Sequence, residues 1–188
     1  MLKRVYIEIT NLCNLRCSFC PGTKRPGRVM PPEEFRLLTE KLRGRVKYLY
    51  FHVMGEPLLH PQLGELLEIA DGAGFRVCLT TNGTLLEERG GVLLSSPALH
   101  KVSVSLHSAE GNGMGDMSAY LRAVWDFVRR ASERGIICSL RLWNLGGAEA
   151  RNGEILSFLA RELGACPLDM PQPRRGSWRL GEGVYLEQ

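Results

Sequence analysis

Cys13-Asn14-Leu15-Arg16-Cys17-Ser18-Phe19-Cys20 is the stretch on which the reading of this chain turns. It follows an apolar run, Val5-Tyr6-Ile7-Glu8-Ile9, that gives out at Thr10-Asn11. Three thiols sit within eight residues, separated by three and then two positions. Thiols this close on one loop can grip a single soft metal centre, either zinc or an iron–sulfur cluster. A structural zinc site wants a fourth ligand and usually two paired knuckles. No second Cys pair at knuckle spacing occurs in the chain. Three ligands suit a 4Fe–4S cluster that leaves one iron open for a substrate.

The surrounding sequence bounds what such a loop can belong to. At 188 residues the chain is expected to form one domain, residues 1–188, with room for a real core. The net charge of +4 is mild and its Lys and Arg are scattered. No nucleic-acid footprint is expected, and Lys24-Arg25 and Arg174-Arg175 read as solvated loop charges. Six Cys do not make a disulfide scaffold here, because long apolar segments supply a core. No apolar run reaches membrane-spanning length and no signal-peptide core opens the chain, so a reducing cytoplasm is expected.

Strand and helix patterns alternate. Strands are expected at 5–9, 46–53, 75–79, 101–106 and 136–142, with a sixth around 184–186. Pro31-Pro32-Glu33-Glu34 opens one helix and Pro61 another. A short helix after Thr84 should be interrupted at Gly90-Gly91. The strongest period runs from about Asp116 to Arg134, with Gly135 as its stop, and Asn152 is a natural cap for a last helix. This order implies right-handed βαβ units and an α/β fold with a parallel sheet. A partial (β/α)6 TIM-like barrel and an open doubly wound sheet both fit it.

Polar residues gather where strands end. The first strand ends in the Cys loop, the second in Met54-Gly55-Glu56-Pro57, and the third in Thr80-Thr81-Asn82-Gly83. The fourth, Val102-Ser103-Val104-Ser105-Leu106, runs into His107-Ser108, and the fifth ends in Arg141-Leu142-Trp143-Asn144. Carboxyl ends of parallel strands form the functional face of such folds. Ser103 and Ser105 share one face of their strand, Arg141 offers a fork that matches a carboxylate, and His52, His60 and His107 read as structural hydrogen-bonders. Cys78 and Cys138 read as small buried hydrophobes, and Cys166 as a loop thiol.

Cys13-x-x-x-Cys17-x-x-Cys20, with Phe19 before the last Cys, resembles the signature of the radical S-adenosylmethionine (SAM) enzymes. Gly55-Glu56-Pro57 is similar to that family's GGEP motif, with Met54 in place of the first glycine. The resemblance implies a 4Fe–4S cluster on Cys13, Cys17 and Cys20 whose open iron chelates SAM. Reductive cleavage then yields a 5′-deoxyadenosyl radical that abstracts a substrate hydrogen. It further implies SAM contacts from Phe19, Gly55, Glu56, Pro57, Asn82, Ser103, Ser105 and Arg141, and an electron donor such as flavodoxin or ferredoxin. The opening Tyr6-Ile7-Glu8-Ile9-Thr10-Asn11-Leu12-Cys13 looks most like the branch with SPASM-type regions, which implies a peptide substrate. No Cys-rich run follows, so the chain is either a core-only enzyme or a fragment that cleaves SAM without coupling to product. A non-catalytic metal- or cluster-binding module and a glycyl-radical-enzyme activase are the alternatives.

Overall fold

The computed structural model describes residues 4–143, 151–165 and 176–188. Asn144, Cys166, the connection Pro167–Pro173 and Arg174-Arg175 lie outside the described residues. Strand β1 (Arg4–Tyr6) is shorter than the apolar run suggests. Ile7 still donates to the Tyr50 carbonyl at 2.9 Å, after which the chain peels away and Thr10 bridges Val29. Helix α1 (Pro32–Leu42) begins on a proline and carries Glu33 and Glu34 in its first turn, where acids complement the helix dipole. Next come β2 (Tyr48–Phe51), α2 (Leu63–Gly72), β3 (Arg76–Thr81), α3 (Leu86–Leu94) and β4 (Leu99–Ser105). A short α4 (His107–Gly111) precedes the long α5 (Ser118–Ser132), then β5 (Ile137–Arg141) and α6 (Asn152–Glu162). A hairpin of β6 (Ser177–Gly181) and β7 (Val184–Glu187) ends the chain.

Among the described residues one seven-stranded sheet forms, in the order β1-β2-β3-β4-β5-β7-β6. Every pair is parallel except β6 with β7. The order from β1 to β5 never reverses, so right-handed crossovers lay successive helices on one side of the sheet. A doubly wound sheet would need a reversal, and that alternative is excluded. The expected six parallel strands of a partial barrel are present, and the sheet stays open. No helix among the described residues is long and apolar enough to cross a membrane.

Alternation along each strand separates two environments. Leu49, Phe51, Leu79, Val102, Val104 and Leu140 point to the helices and are almost wholly buried. Their neighbours Tyr50, Thr80, Lys101, Ser105, Arg141 and Glu187 occupy the other face and are half-buried. Cys78 and Cys138 are buried as expected, and burial pushes the Cys138 thiol up to about 12. Helix α5 turns Tyr120, Leu121, Val124, Phe127, Val128 and Ala131 inward, the period read from the sequence.

Two local expectations are corrected, and one strand is added. Helix α3 runs through Gly90-Gly91 without interruption, because Gly90 is the point where α3 meets α5. A Cβ there would stand 2.8 Å from Phe127 Cδ2, so a bare backbone permits the packing. Asn152 is the first residue of α6 and Arg151 occupies the cap position, with no side-chain cap bond. Strand β6 went unread because its short Ser-Trp-Arg-Leu pattern follows a Pro-rich stretch. It exists by pairing with β7 across the Glu182-Gly183 turn.

The two helical glycines should therefore respond oppositely to alanine. Gly91 is exposed with nothing within 4 Å of a new Cβ. Gly91→Ala should stabilise the chain by about 0.5–1 kcal/mol through helix propensity. Gly90→Ala gains the same propensity but overpacks Phe127 at a cost of about 1–3 kcal/mol, so it should be destabilising on balance. Urea denaturation of both variants checks the signs.

Candidate functional site

The carboxyl ends of β1 to β5 surround a cavity of about 640 Å³, inside the range of roughly 300–1,000 Å³ typical of small-molecule sites. Cys13, Cys17, Phe19 and Cys20 line it from the loop after β1, and His52, Gly55 and Glu56 from the end of β2. Thr80, Thr81 and Asn82 come from β3, Ser105, His107 and Ser108 from β4 and α4, and Arg141 and Trp143 from β5. All three expected cluster thiols thus meet the expected SAM-contacting residues in one hollow. Pro57 and Ser103 stand outside the cavity lining, unlike the other expected contacts. Pro57 is buried at the start of a single 3-10 turn, Pro57–Leu59. Ser103 lies one pleat deeper than Ser105 in β4 and is 3% exposed.

The Cys loop has no regular structure, so its backbone must find partners elsewhere. Ser18 N–H donates to the Gly111 carbonyl at 2.9 Å, and Arg16 N–H donates to Asn112 Oδ1 at 2.8 Å. Phe19 lies over α4, its ring 4.9 Å from that of His107. Gly111 leaves space for it, since a Cβ at that position would meet Phe19 Cε1 at 2.5 Å. On the other side Asn82 donates to Asn14 Oδ1 at 2.9 Å, and Asn14 donates to Thr84 Oγ1 at 2.8 Å. Each thiol also faces an N–H donor: Leu15 N–H to Cys13 and Gly22 N–H to Cys20, both 3.4 Å, and Asn112 to Cys17 at 3.0 Å.

The Gly-Glu-Pro turn is built against this loop. Gly55 has φ +79 and its absent Cβ would stand 2.5 Å from the Thr10 carbonyl oxygen and 2.7 Å from that of Leu12. Only glycine satisfies both the left-handed backbone and the approach. Glu56 N–H donates to the same Leu12 carbonyl at 2.7 Å. The Glu56 carboxylate, 1% exposed, accepts from Leu58 N–H at 3.0 Å and Thr81 Oγ1–H at 2.8 Å on one oxygen. Its other oxygen accepts from Asn82 N–H at 2.7 Å. Burial pushes this carboxyl above its ordinary range, and the three donors counter the push only in part. Glu56 is thus a clasp between the ends of β2 and β3 that also shows an edge to the cavity.

Arg141 is half-committed. Its Nε donates to Glu187 Oε2 at 3.1 Å and Nη1 to Thr80 Oγ1 at 3.4 Å, while its guanidinium lies 4.3 Å over the Trp143 ring. Lys101 holds the other Glu187 oxygen at 3.0 Å. Burial raises the Glu187 carboxyl, but the Ser139 hydroxyl, Lys101 and Arg141 outweigh it and the net shift is downward. His60 is a structural residue as expected, fully buried between the Met30 carbonyl at 2.9 Å and Gln62 N–H at 3.1 Å. His107 Nδ1 lies 3.1 Å from the Arg141 carbonyl and 3.3 Å from Trp143 N–H, and burial lowers its pKa. His52 faces the cavity and is lowered by burial and then by Arg141.

Sequence reasoning missed Asn112 and the pairing of Arg141 with Thr80, Glu187 and Trp143. Asn112 lies between Gly111 and Gly113 and reads as loop, 95 residues from the cysteine it touches. Trp143 could have been found, because residues two apart on an extended segment share a face.

The donor set fits an iron–sulfur cluster. All three thiols are free, and Cys13 and Cys20 are exposed. The irons of such a cluster are held by Cys thiolates, and the three here line one cavity. Burial, with the Glu56 and Cys17 charges, pushes the Cys13 thiol up against the opposing Leu15 N–H, so binding a metal there would release a proton.

Known proteins resemble this chain in sequence and fold. The family described as the Radical SAM superfamily matches residues 7–159. A GTP 3′,8-cyclase of Aquifex aeolicus is 34% identical over 153 residues, covering 71% of this chain and 45% of its own length. A tungsten-containing aldehyde ferredoxin oxidoreductase cofactor-modifying protein of Pyrococcus furiosus is 32% identical over 91 residues, 46% of this chain and 26% of its own. Among solved structures, SuiB of Streptococcus suis bound to precursor peptide SuiA superposes with a TM-score of 0.62 at 18% identity, covering 84% of this chain and 36% of SuiB. BtrN in complex with AdoMet and 2-DOIA gives 0.58 at 23%, covering 74% and 56%. These structural likenesses speak for the fold alone, and the chain spans less than half the length of the curated relatives it matches. With the family match covering most of its length, this chain belongs to the radical SAM superfamily of enzymes.

Proposed function

We propose that this chain binds SAM against a 4Fe–4S cluster, cleaves it reductively and removes a hydrogen atom from an organic substrate, with a peptide as the substrate class. The supporting observation is a single cavity lined at once by three free thiols, a buried carboxylate and a strand-end guanidinium. Cys13, Cys17 and Cys20 would hold the cluster. When bound, the cluster supplies a low-potential electron and an open iron for the amino-acid end of SAM. A small redox protein such as flavodoxin or ferredoxin is the proposed electron source.

The chain's own residues position SAM. Arg141, braced by Glu187 and Trp143, directs its remaining N–H groups to a carboxylate. The Gly55–Glu56 turn offers acceptors to an ammonium. Asn82 and Ser105 present polar groups suited to ribose hydroxyls, and Phe19 and Trp143 give apolar surface at the mouth, where each is about half exposed. Such surface helps exclude water from the reacting atoms. A peptide is favoured by the opening Tyr6–Cys13 pattern and by the fold shared with SuiB, whose structure contains a precursor peptide. The GTP 3′,8-cyclase relatives make a nucleotide the second class to assay. The test is anaerobic reconstitution followed by electron paramagnetic resonance (EPR) of the reduced protein. A cluster spectrum altered by SAM, with 5′-deoxyadenosine released, is the expected result; a colourless zinc protein refutes the reading.

Two substitutions probe the assignment. Cys17→Ala should lose the intact cluster and SAM cleavage, while Cys78→Ala, behind the site, should keep both; iron content and visible absorption decide. Glu56→Gln swaps one acceptor oxygen for a donor amide that cannot serve all three of its present partners. It should lower stability by about 1–3 kcal/mol and weaken SAM binding without bleaching the cluster, as thermal denaturation and calorimetric titration would read. Unchanged affinity would leave Glu56 as a clasp only.

A further inference from the structure

Asn112 makes two bonds to the segment that contains the central cysteine and one to Ser108 of α4. Its Oδ1 accepts Arg16 N–H at 2.8 Å, which fixes the orientation of the amide. The two Nδ2 hydrogens then point at Cys17 Sγ, 3.0 Å away, and at the Ser108 carbonyl, 2.8 Å away. All the polar capacity of this side chain on the loop side is therefore committed, and its position comes from the end of α4, an element remote in sequence. Cys13 and Cys20 receive their close N–H donors from the backbone of the Cys loop itself, Leu15 and Gly22. Asn82 reaches Cys13 only at a longer 3.9 Å. The bond to Cys17 is thus the short side-chain donor among the three thiols.

We propose, on the cluster reading above, that Asn112 is a positioning residue that raises the reduction potential of the cluster through its N–H bond to Cys17. A donor to a ligating sulfur withdraws electron density from it and favours the reduced, more negative state of the centre. The same amide, by holding Arg16 N–H and the Ser108 carbonyl, keeps Cys17 against α4. No other reactant is needed, because the effect is a shift in an equilibrium and not a bond-making step.

The experiment is a potentiometric titration, followed by EPR at pH 8, of reconstituted wild type, Asn112→Asp and Asn112→Ala. At this pH an aspartate is ionised and donates nothing. With iron content unchanged, both variants should show a more negative midpoint, with Asp further displaced than Ala. A merely structural role would change cluster yield and leave the potential where it was. An unmoved or more positive midpoint in a fully loaded Asn112→Asp chain overturns this proposal alone. An iron-free wild type overturns the cluster reading and this proposal with it. Should the variants take up no cluster, pulsed EPR decides on reduced wild type and Asn82→Ala, both grown on asparagine labelled with 15N at the side-chain amide. A nitrogen coupling that survives loss of Asn82 supports the Asn112 bond, and none overturns the proposal.

Discussion

A carboxylate with almost no access to water needs nearby donors to hold its charge, or it takes up a proton instead. Glu56 finds three such donors in Leu58, Thr81 and Asn82, and so fixes the ends of β2 and β3 against each other. One residue earlier, the missing side chain of Gly55 lets this junction rest directly on the carbonyls that lead into the Cys loop. The loop is irregular and largely exposed, so it inherits its position from that buried junction on one side and from α4 on the other. Charge-assisted bonds of this kind are worth about 1.5–3 kcal/mol each, a large share of a domain's margin of about 5–15 kcal/mol.

How much of this was legible in the sequence depends on the range over which the signal acts. Alternation in Val102-Ser103-Val104-Ser105 and the period of α5 are local, and both were readable as built. The Cys spacing is local too, and the thiols do share one cavity. Gly90-Gly91 misled because propensity weighs a glycine by its own helix, whereas Gly90 answers to Phe127 on a different one. Asn112 carried no local mark, since its partners lie in another part of the chain. Glu56 was legible as a candidate site residue, but its three protein partners could not be inferred from a turn motif.

The same long-range logic separates the cysteines. Cys78 and Cys138 lie in strands and are closed off from solvent among apolar neighbours, whereas Cys13 and Cys20 are exposed. Cys17 and Cys20 lie where backbone and side-chain N–H groups already face sulfur. The difference comes from neighbours and not from the residue type, so counting six Cys in the sequence could not make it.

The single-sided winding of the sheet has a consequence for how such chains diversify. Packing that stabilises the fold is concentrated between strands and helices, while the candidate site residues lie on the opposite face and at the strand ends. Residues such as Ser105, His52 and Trp143 can drift with little penalty to the core, because few core side chains depend on them. Only the anchoring points that serve both regions, chiefly Gly55 and Glu56, are denied that freedom. A scaffold arranged this way can be re-tasked by changing its rim, which accords with a cyclase and a cofactor-modifying protein both standing among its relatives.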